Sequence, residues 1–190
     1  FYSDLGANKD LYQAFKRVSQ TELNVQQQHI VNDSLRSFEL SGVALDGAKS
    51  ERFKEIKEQL SVLSNQFSKN VLQSTNSWKK TVSANNLKGY GADEFSKVKK
   101  GDHYEINLQI PVYIDLMTYA DSSDLREEVY KAYISRASNI GITSKEFNNR
   151  PIMDEILKLR SEMSELVGFS NYAEYSTQSK MVESPDAVVE

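Results

Sequence analysis

The chain has no cysteine, two histidines and three prolines in 190 residues. Each scarcity excludes something. Without cysteine there are no disulfides, no thiol nucleophile and no thiolate metal site, a pattern that fits a reducing compartment. Two imidazoles, His29 and His103, offer little to a metal centre that needs three or four ligands. No apolar run approaches the ~18 residues of a membrane-spanning helix. The opening FYSDLG carries neither the basic nor the apolar region of a secretory leader. Excess positive charge is missing too: 23 Lys and Arg stand against 27 Asp and Glu, for a net charge of −4. A nucleic-acid binder needs a concentrated basic face, so no nucleic-acid partner is expected.

What remains is a chain with 39% hydrophobic and 26% charged residues, long enough to bury a sizeable core. Few Pro and Gly, with abundant Lys, Glu, Gln, Ser and Leu, favour helix. A first helix is expected from about Asn8 to Ser19, with Leu11, Phe15 and Val18 on one face. Asn24 is a good N-cap for a second, with Gln27 as its capping-box partner three residues on. That helix carries Val31, Leu35 and Phe38 inward and stops at Gly42, a residue suited to the left-handed turn after a helix.

The strongest periodicity lies in 46–77. Phe53, Ile56, Leu60, Leu63, Phe67 and Val71 recur every three or four residues, predicting one helix from Asp46 to about Ser77. Its 32 or so residues make a rod of roughly 48 Å, which needs neighbours along its length and so points to a helical bundle. The apolar stripe is too short for the sustained heptads of a coiled coil. Beyond Trp78 the period changes. Lys79–Ser83 and Tyr104–Ile110 read as short strands, the second alternating Tyr104, Ile106, Leu108 and Ile110. A small β-hairpin-like insertion within 79–110 is therefore expected, with a loop or a helical excursion between its strands.

Pro111 opens a helix to about Ala120. Ser122 or Ser123 caps the next, with Leu125, Val129, Ala132 and Tyr133 inward. Residues 139–150 read as loop. Pro151 then opens a helix burying Ile152, Ile156, Leu159, Met163 and Leu166 and closed by Gly168. Ser170 caps a short helix, and Ser184-Pro185 opens a last one that stops at Glu190. Residues 1–190 are read as a single helical region in which both ends look like truncations.

Candidate chemical groups are few. His29 and Asp33 sit at i, i+4 on one side of a helix, but two ligands do not make a zinc site. His103 would share a strand face with Glu105, and no partner for acid–base work is evident. Glu127 and Glu128 diverge by about 100° on a helix and cannot act as a carboxylate pair. Glu51, Glu55 and Glu58, interleaved with Arg52, Lys54 and Lys57, look like a solvated face. Lys97, Lys99 and Lys100 beside Gly101 look like a basic loop tip. Tyr104, Tyr113, Tyr119, Tyr130 and Tyr133 are helix- or strand-spaced aromatics, expected in the core or along a peptide channel.

The segments FELSG (38–42), LSVLSNQFSKNVL (60–72), LQIPVYIDLMTYAD (108–121), LREEVYKAYISRAS (125–138) and 153–188 resemble, in order and spacing, the thimet/neurolysin-type zinc oligopeptidases, and within them the bacterial oligopeptidase A branch. The resemblance covers nearly the whole chain and is weakest in 80–103. It implies a mostly helical, two-lobed protein with a deep channel between the lobes, a cytoplasmic location, and hydrolysis of short peptides at one zinc. In that family two His and a Glu hold the metal, and the Glu of HExxH activates water. No HExxH occurs in these 190 residues. No catalytic, cofactor-binding or metal residue therefore carries over, and no zinc is expected on this stretch. It is expected to be part of the non-catalytic lobe, with short peptides and the missing catalytic lobe as partners. The competing reading is a free-standing helical interaction module.

Overall fold

The structure, a computed structural model, describes residues 5–140 and 145–189. The expectations about the chain's two ends, and residues 141–144 of the expected 139–150 loop, lie outside the described residues. The fold is mainly α with a small antiparallel sheet. It divides into two compact units, residues 5–61 with 155–189 and residues 62–140 with 145–154.

The first unit opens with α1 (Lys9–Val18), capped by Asn8, whose side chain accepts from the Leu11 N–H. Helix α2 (Val25–Leu40) begins with the capping box expected of Asn24 and Gln27. Gly42 follows it at φ +80°. Tyr12, Phe38 and Val43 form the core between these helices, with Leu11, Phe15 and Leu35 against it. Val18, expected inside, is exposed, and Tyr12 takes the inward place. A tyrosine can do this because its hydroxyl reaches the Glu39 carboxylate at 2.8 Å.

Helix α3 (Gly47–Ser77) is the long helix, within a residue of the expected bounds. Its apolar stripe is buried at one end only. Phe53 and Ile56 are sealed, whereas Leu60, Leu63, Phe67 and Val71 are half-buried. In the C-terminal half of α3 the buried groups are polar: Asn70, Ser74 and Thr75.

Later in the chain, α7 (Arg150–Leu166) supplies Leu159 and Met163 to the buried set. Ile152, Ile156 and Leu166 are only half-buried. Helix α8 (Tyr172–Thr177) is capped by Asn171 rather than Ser170, and α9 spans Asp186–Val189. In the first unit Arg52 of α3 grips Glu162 of α7 with two bonds, Nε to Oε1 at 2.6 Å and Nη2 to Oε2 at 2.8 Å. Glu55 takes a third bond from Arg52 at 3.1 Å, so it is a partner rather than a merely solvated residue.

The hydrogen bonds from Arg52 hold the Glu162 carboxyl below its ordinary range, against a smaller opposing effect of burial. A carboxylate with a depressed folded-state pKa contributes stability that is present above its unfolded pKa and lost as pH falls through the folded one. Acid titration of the unfolding midpoint should therefore be shallower in Glu162→Gln than in the parent chain at the low-pH end. Superimposable acid limbs would mean that solvent screens the pair completely, as it does for many exposed ion pairs.

The second unit is built on the sheet. Strand β1 (Lys79–Val82) pairs with β3 (His103–Asn107), and β3 with the two-residue β2 (Lys99–Lys100), all antiparallel. The third strand goes beyond the expected hairpin. Lys97–Lys100, read as a loop tip, instead ends α4 (Ala92–Val98) and forms β2. Strand β3 keeps the alternation as far as Ile106, and Leu108 just past it is sealed as well. Ile110 leaves the strand, because it starts α5 (Ile110–Tyr119) ahead of Pro111 and is exposed. Proline there restricts the preceding residue but suits the first turn of a helix. Helix α6 (Ser123–Ile134) follows, capped by Ser122. Val82, Leu87, Val98, Ile106, Leu108, Leu116, Leu125 and Val129 are members of one continuous core.

Tyr90 belongs to that core, edge-on to Phe95 at 5.7 Å, and its buried hydroxyl has no hydrogen-bond partner among the described residues. Burial, then the Asp115 and Glu94 carboxylates, push this phenol up to about 12. Tyr90→Phe removes an unsatisfied buried group and should leave stability unchanged or raise it by up to ~1 kcal/mol. A clear drop in melting temperature would show that the hydroxyl is in fact bonded.

Candidate functional site

The histidines are placed first. His29 Nε2 lies 3.2 Å from Asp33 Oδ2 on an exposed face of α2, the same-side arrangement that the spacing predicted. Asp33 also accepts from Arg36 at 3.3 Å. His103 is exposed at the start of β3, paired with Lys100 of β2. Glu105 is bonded to Lys79 at 3.2 Å, and Glu127 to Lys131 one turn on along α6. Among the described residues no three His, Asp or Glu converge to hold a metal ion. Zinc wants three protein ligands at least, so the described residues do not fit it.

The tyrosines are more informative. Tyr113 of α5 and Tyr133 of α6 stack with ring centroids 3.9 Å apart and planes 16° from parallel. Arg136 stands over the Tyr133 ring, its guanidinium carbon 3.5 Å from the ring centroid. Arg136 Nε donates to the Tyr133 carbonyl at 2.8 Å and Nη1 to the Thr75 hydroxyl at 3.2 Å. Burial, then Tyr133 and Tyr130, push the Tyr113 phenol up, and Arg136 opposes them. Around these rings α5 and α6 expose large apolar side chains. Ile110 is 54%, Ile114 52%, Tyr130 45% and Ile134 60% exposed. Ile110 and Ile114 are i, i+4 neighbours, as are Tyr130 and Ile134, so each helix shows a stripe rather than a scattered residue.

A hydrogen-bonded polar network backs this platform. Asn149, sealed from solvent, accepts from Asn70 at 2.8 Å and donates to the Phe67 carbonyl at 3.1 Å. Its backbone N–H donates to the Ala137 carbonyl at 2.8 Å. The Ala137 N–H donates in turn to Ser74 Oγ at 3.0 Å. Ala137 is thus clamped on both sides and holds φ +52°, which is uncommon for a residue with a Cβ. The turn after α6 that carries Arg136 is set by these bonds to α3. The sequence singled out the tyrosines but neither Arg136 nor Asn149. Arg136 stands three residues after Tyr133, a spacing that could have suggested the contact. Nothing local marks Asn149 as buried.

A concavity of about 420 Å³ lies in the first unit between Ser41–Val43 and the first turns of α3. Lys9, Lys54 and Lys57 line it above Phe53. Lys9 is paired with Asp46.

The profile for Peptidase family M3 matches residues 116–190, which include all of α6 and α7. Across 98% of its length the chain is 39% identical to oligopeptidase A of Salmonella typhimurium. The chain is thus similar to peptidase family M3 over 116–190 and to oligopeptidase A over nearly its whole length. It is also 36% identical, over its whole length, to a probable cytosolic oligopeptidase A of Arabidopsis thaliana. A thimet-like oligopeptidase of Dictyostelium discoideum is 30% identical over 95% of the chain. The chain spans 29%, 29% and 27% of the length of these three relatives. The similarity to the relatives extends beyond the 116–190 match and so takes in the sheet-bearing part of the second unit.

Proposed function

We propose that these 190 residues are part of a zinc-dependent oligopeptidase that hydrolyses short peptides, and that they flank its substrate channel without carrying its zinc. The observation that supports this most is the 39% identity to an oligopeptidase A over nearly the whole chain. The Tyr113–Tyr133–Arg136 platform and its apolar stripes supply the kind of surface that a peptide, or the remaining lobe, would cover. In the family the metal lowers the pKa of bound water and polarises the scissile carbonyl. Its ligands are assigned to residues outside these 190, because His29 and Asp33 make only two. A cytoplasmic location belongs to the same proposal and is supported by the relative described as cytosolic. Among the described residues no helix is long and apolar enough to cross a membrane.

The experiment compares the 190-residue chain with the longest open reading frame that contains it. Elemental analysis after dialysis is paired with a quenched-fluorescence peptide assay. The longer protein should hold about one zinc and show chelator-sensitive cleavage, and the chain alone should do neither. Stoichiometric zinc with cleavage co-eluting with the chain would move the chemistry into it. A longer protein without HExxH and without cleavage would favour a helical interaction module instead.

A further inference from the structure

The unused hydrogen-bonding capacity of Arg136 carries a more specific inference, which rests on the peptidase reading above. A guanidinium has five N–H donors in a fixed planar fork. Among the described residues two are engaged, one by the Tyr133 carbonyl and one by Thr75 Oγ1. The Thr75 hydroxyl spends its own proton on the Val71 carbonyl at 2.8 Å, so it can only accept from Arg136. Stacking on Tyr133, itself stacked on Tyr113, fixes the plane of the fork. Closing the end of α6 explains the bond to the Tyr133 carbonyl. It does not explain why a half-buried cation is held by neutral acceptors and a ring. No carboxylate of the described residues forms an ion pair with it. Its remaining donors are open to a ligand with a matching planar acceptor.

We infer that Arg136 receives the C-terminal carboxylate of a bound peptide, with Tyr130 beside it and the Ile110/Ile114 and Ile134 stripes taking the peptide's apolar side chains. A planar fork matches a carboxylate with two parallel bonds. One cation suits one negative charge, and every linear peptide with an unmodified end carries one such group there. Tyr130 and Tyr133 lie at i, i+3 on α6, so the Tyr130 phenol is within the same neighbourhood. The surrounding exposed isoleucines favour an apolar penultimate segment over a highly charged ligand such as a nucleic acid. Charge complementarity thus selects the peptide end as the occupant of this face.

The test uses the 190-residue chain and a fluorescein-labelled pentapeptide ending in leucine, prepared as the free acid, as the C-terminal amide, and as an amide with an internal glutamate. Fluorescence anisotropy should show the free acid binding about tenfold or more tightly than the plain amide, the difference expected of a charge-assisted pair. The internal-glutamate amide should bind like the plain amide. Arg136→Gln should erase the acid preference, and Arg136→Lys should restore part of it. Thermal melting by circular dichroism checks the variants' folds. If Arg136→Gln does not fold, the acid-to-amide ratio of the unaltered chain and its reduction in Tyr130→Phe decide the matter. Equal affinity for acid and amide overturns the inference. So does an internal-glutamate amide that binds as tightly as the acid, which would transfer the site to side-chain carboxylates. A longer protein that cleaves peptides while its chain ignores the acid would sink this inference and leave the proposed function standing. Acid preference in the chain with no cleavage by the longer protein would do the reverse.

Discussion

Ile56→Asp should unfold the first unit. Ile56 is completely buried on α3. An unpaired carboxylate placed there loses its hydration or forces the helix away from its neighbours. Either outcome costs several kcal/mol, comparable with the ~5–15 kcal/mol that separates a folded domain from its unfolded chain. The helical circular dichroism signal should fall and the urea midpoint should vanish or move far down. Periodicity alone would place Leu60 and Phe67 on the same footing. The structure does not, since both are half-buried. Their aspartate variants can turn the charge toward water, so milder losses are expected. Gln59→Ala, on the exposed side of the helix, should change stability by less than ~0.5 kcal/mol. If Ile56→Asp and Gln59→Ala behaved alike, the inward face of α3 would be wrongly assigned.

Gly89→Ala should be nearly as damaging, for a different reason. Gly89 sits at φ +96°, and a Cβ built on it would lie 1.9 Å from the Tyr119 carbonyl oxygen. That oxygen is backbone, at the end of α5. The neighbouring stretch of chain is tied in place, because the Asp121 N–H donates to the Lys88 carbonyl at 2.8 Å. Neither side can yield without breaking the corner between α5 and α6. The expected loss is about 3 kcal/mol or more, in the range reserved for steric and backbone conflicts. Gly101→Ala is the control. Gly101 has φ +61°, but a Cβ there would meet nothing within 4 Å, so only the backbone strain remains. That strain costs roughly 1–2 kcal/mol. Urea midpoints of the two variants should differ clearly. Equal midpoints would show that the contact with Tyr119 is not a constraint. Because the same corner sets α5 against α6, Gly89→Ala should also weaken any peptide binding that depends on the Tyr113–Tyr133 stack.

Much of the fold was legible because it is local. The capping box of Asn24 and Gln27 satisfies backbone donors three residues apart, so no distant contact is needed to form it. The length of α3 follows from an apolar period without a breaker. The alternation in β3 and the helix opened by Pro111 are local in the same sense. The likeness to the oligopeptidases was also visible in the order of segments, before any coordinates.

What the tertiary structure decided is which of the suitable residues meet. Val18 and Tyr12 are both fit for the inward face of α1, and the choice fell to Tyr12 because Glu39 stands opposite its hydroxyl. Strand β2 is two residues long and has no signal of its own; it exists because β3 offers it an edge. The candidate site shows the same division. Sequence placed the tyrosines of 104–133 on helices and a strand, but stacking Tyr113 on Tyr133 needs α5 and α6 side by side. Arg136 is oriented by Thr75, 61 positions earlier, and its turn is pinned by Ser74 and Asn149. Capping and periodicity are interactions among near neighbours along the chain, so the sequence by itself determined the helices and the β insertion. A buried polar bond exists only where two distant segments dock, so the platform around Arg136 was decided by packing alone.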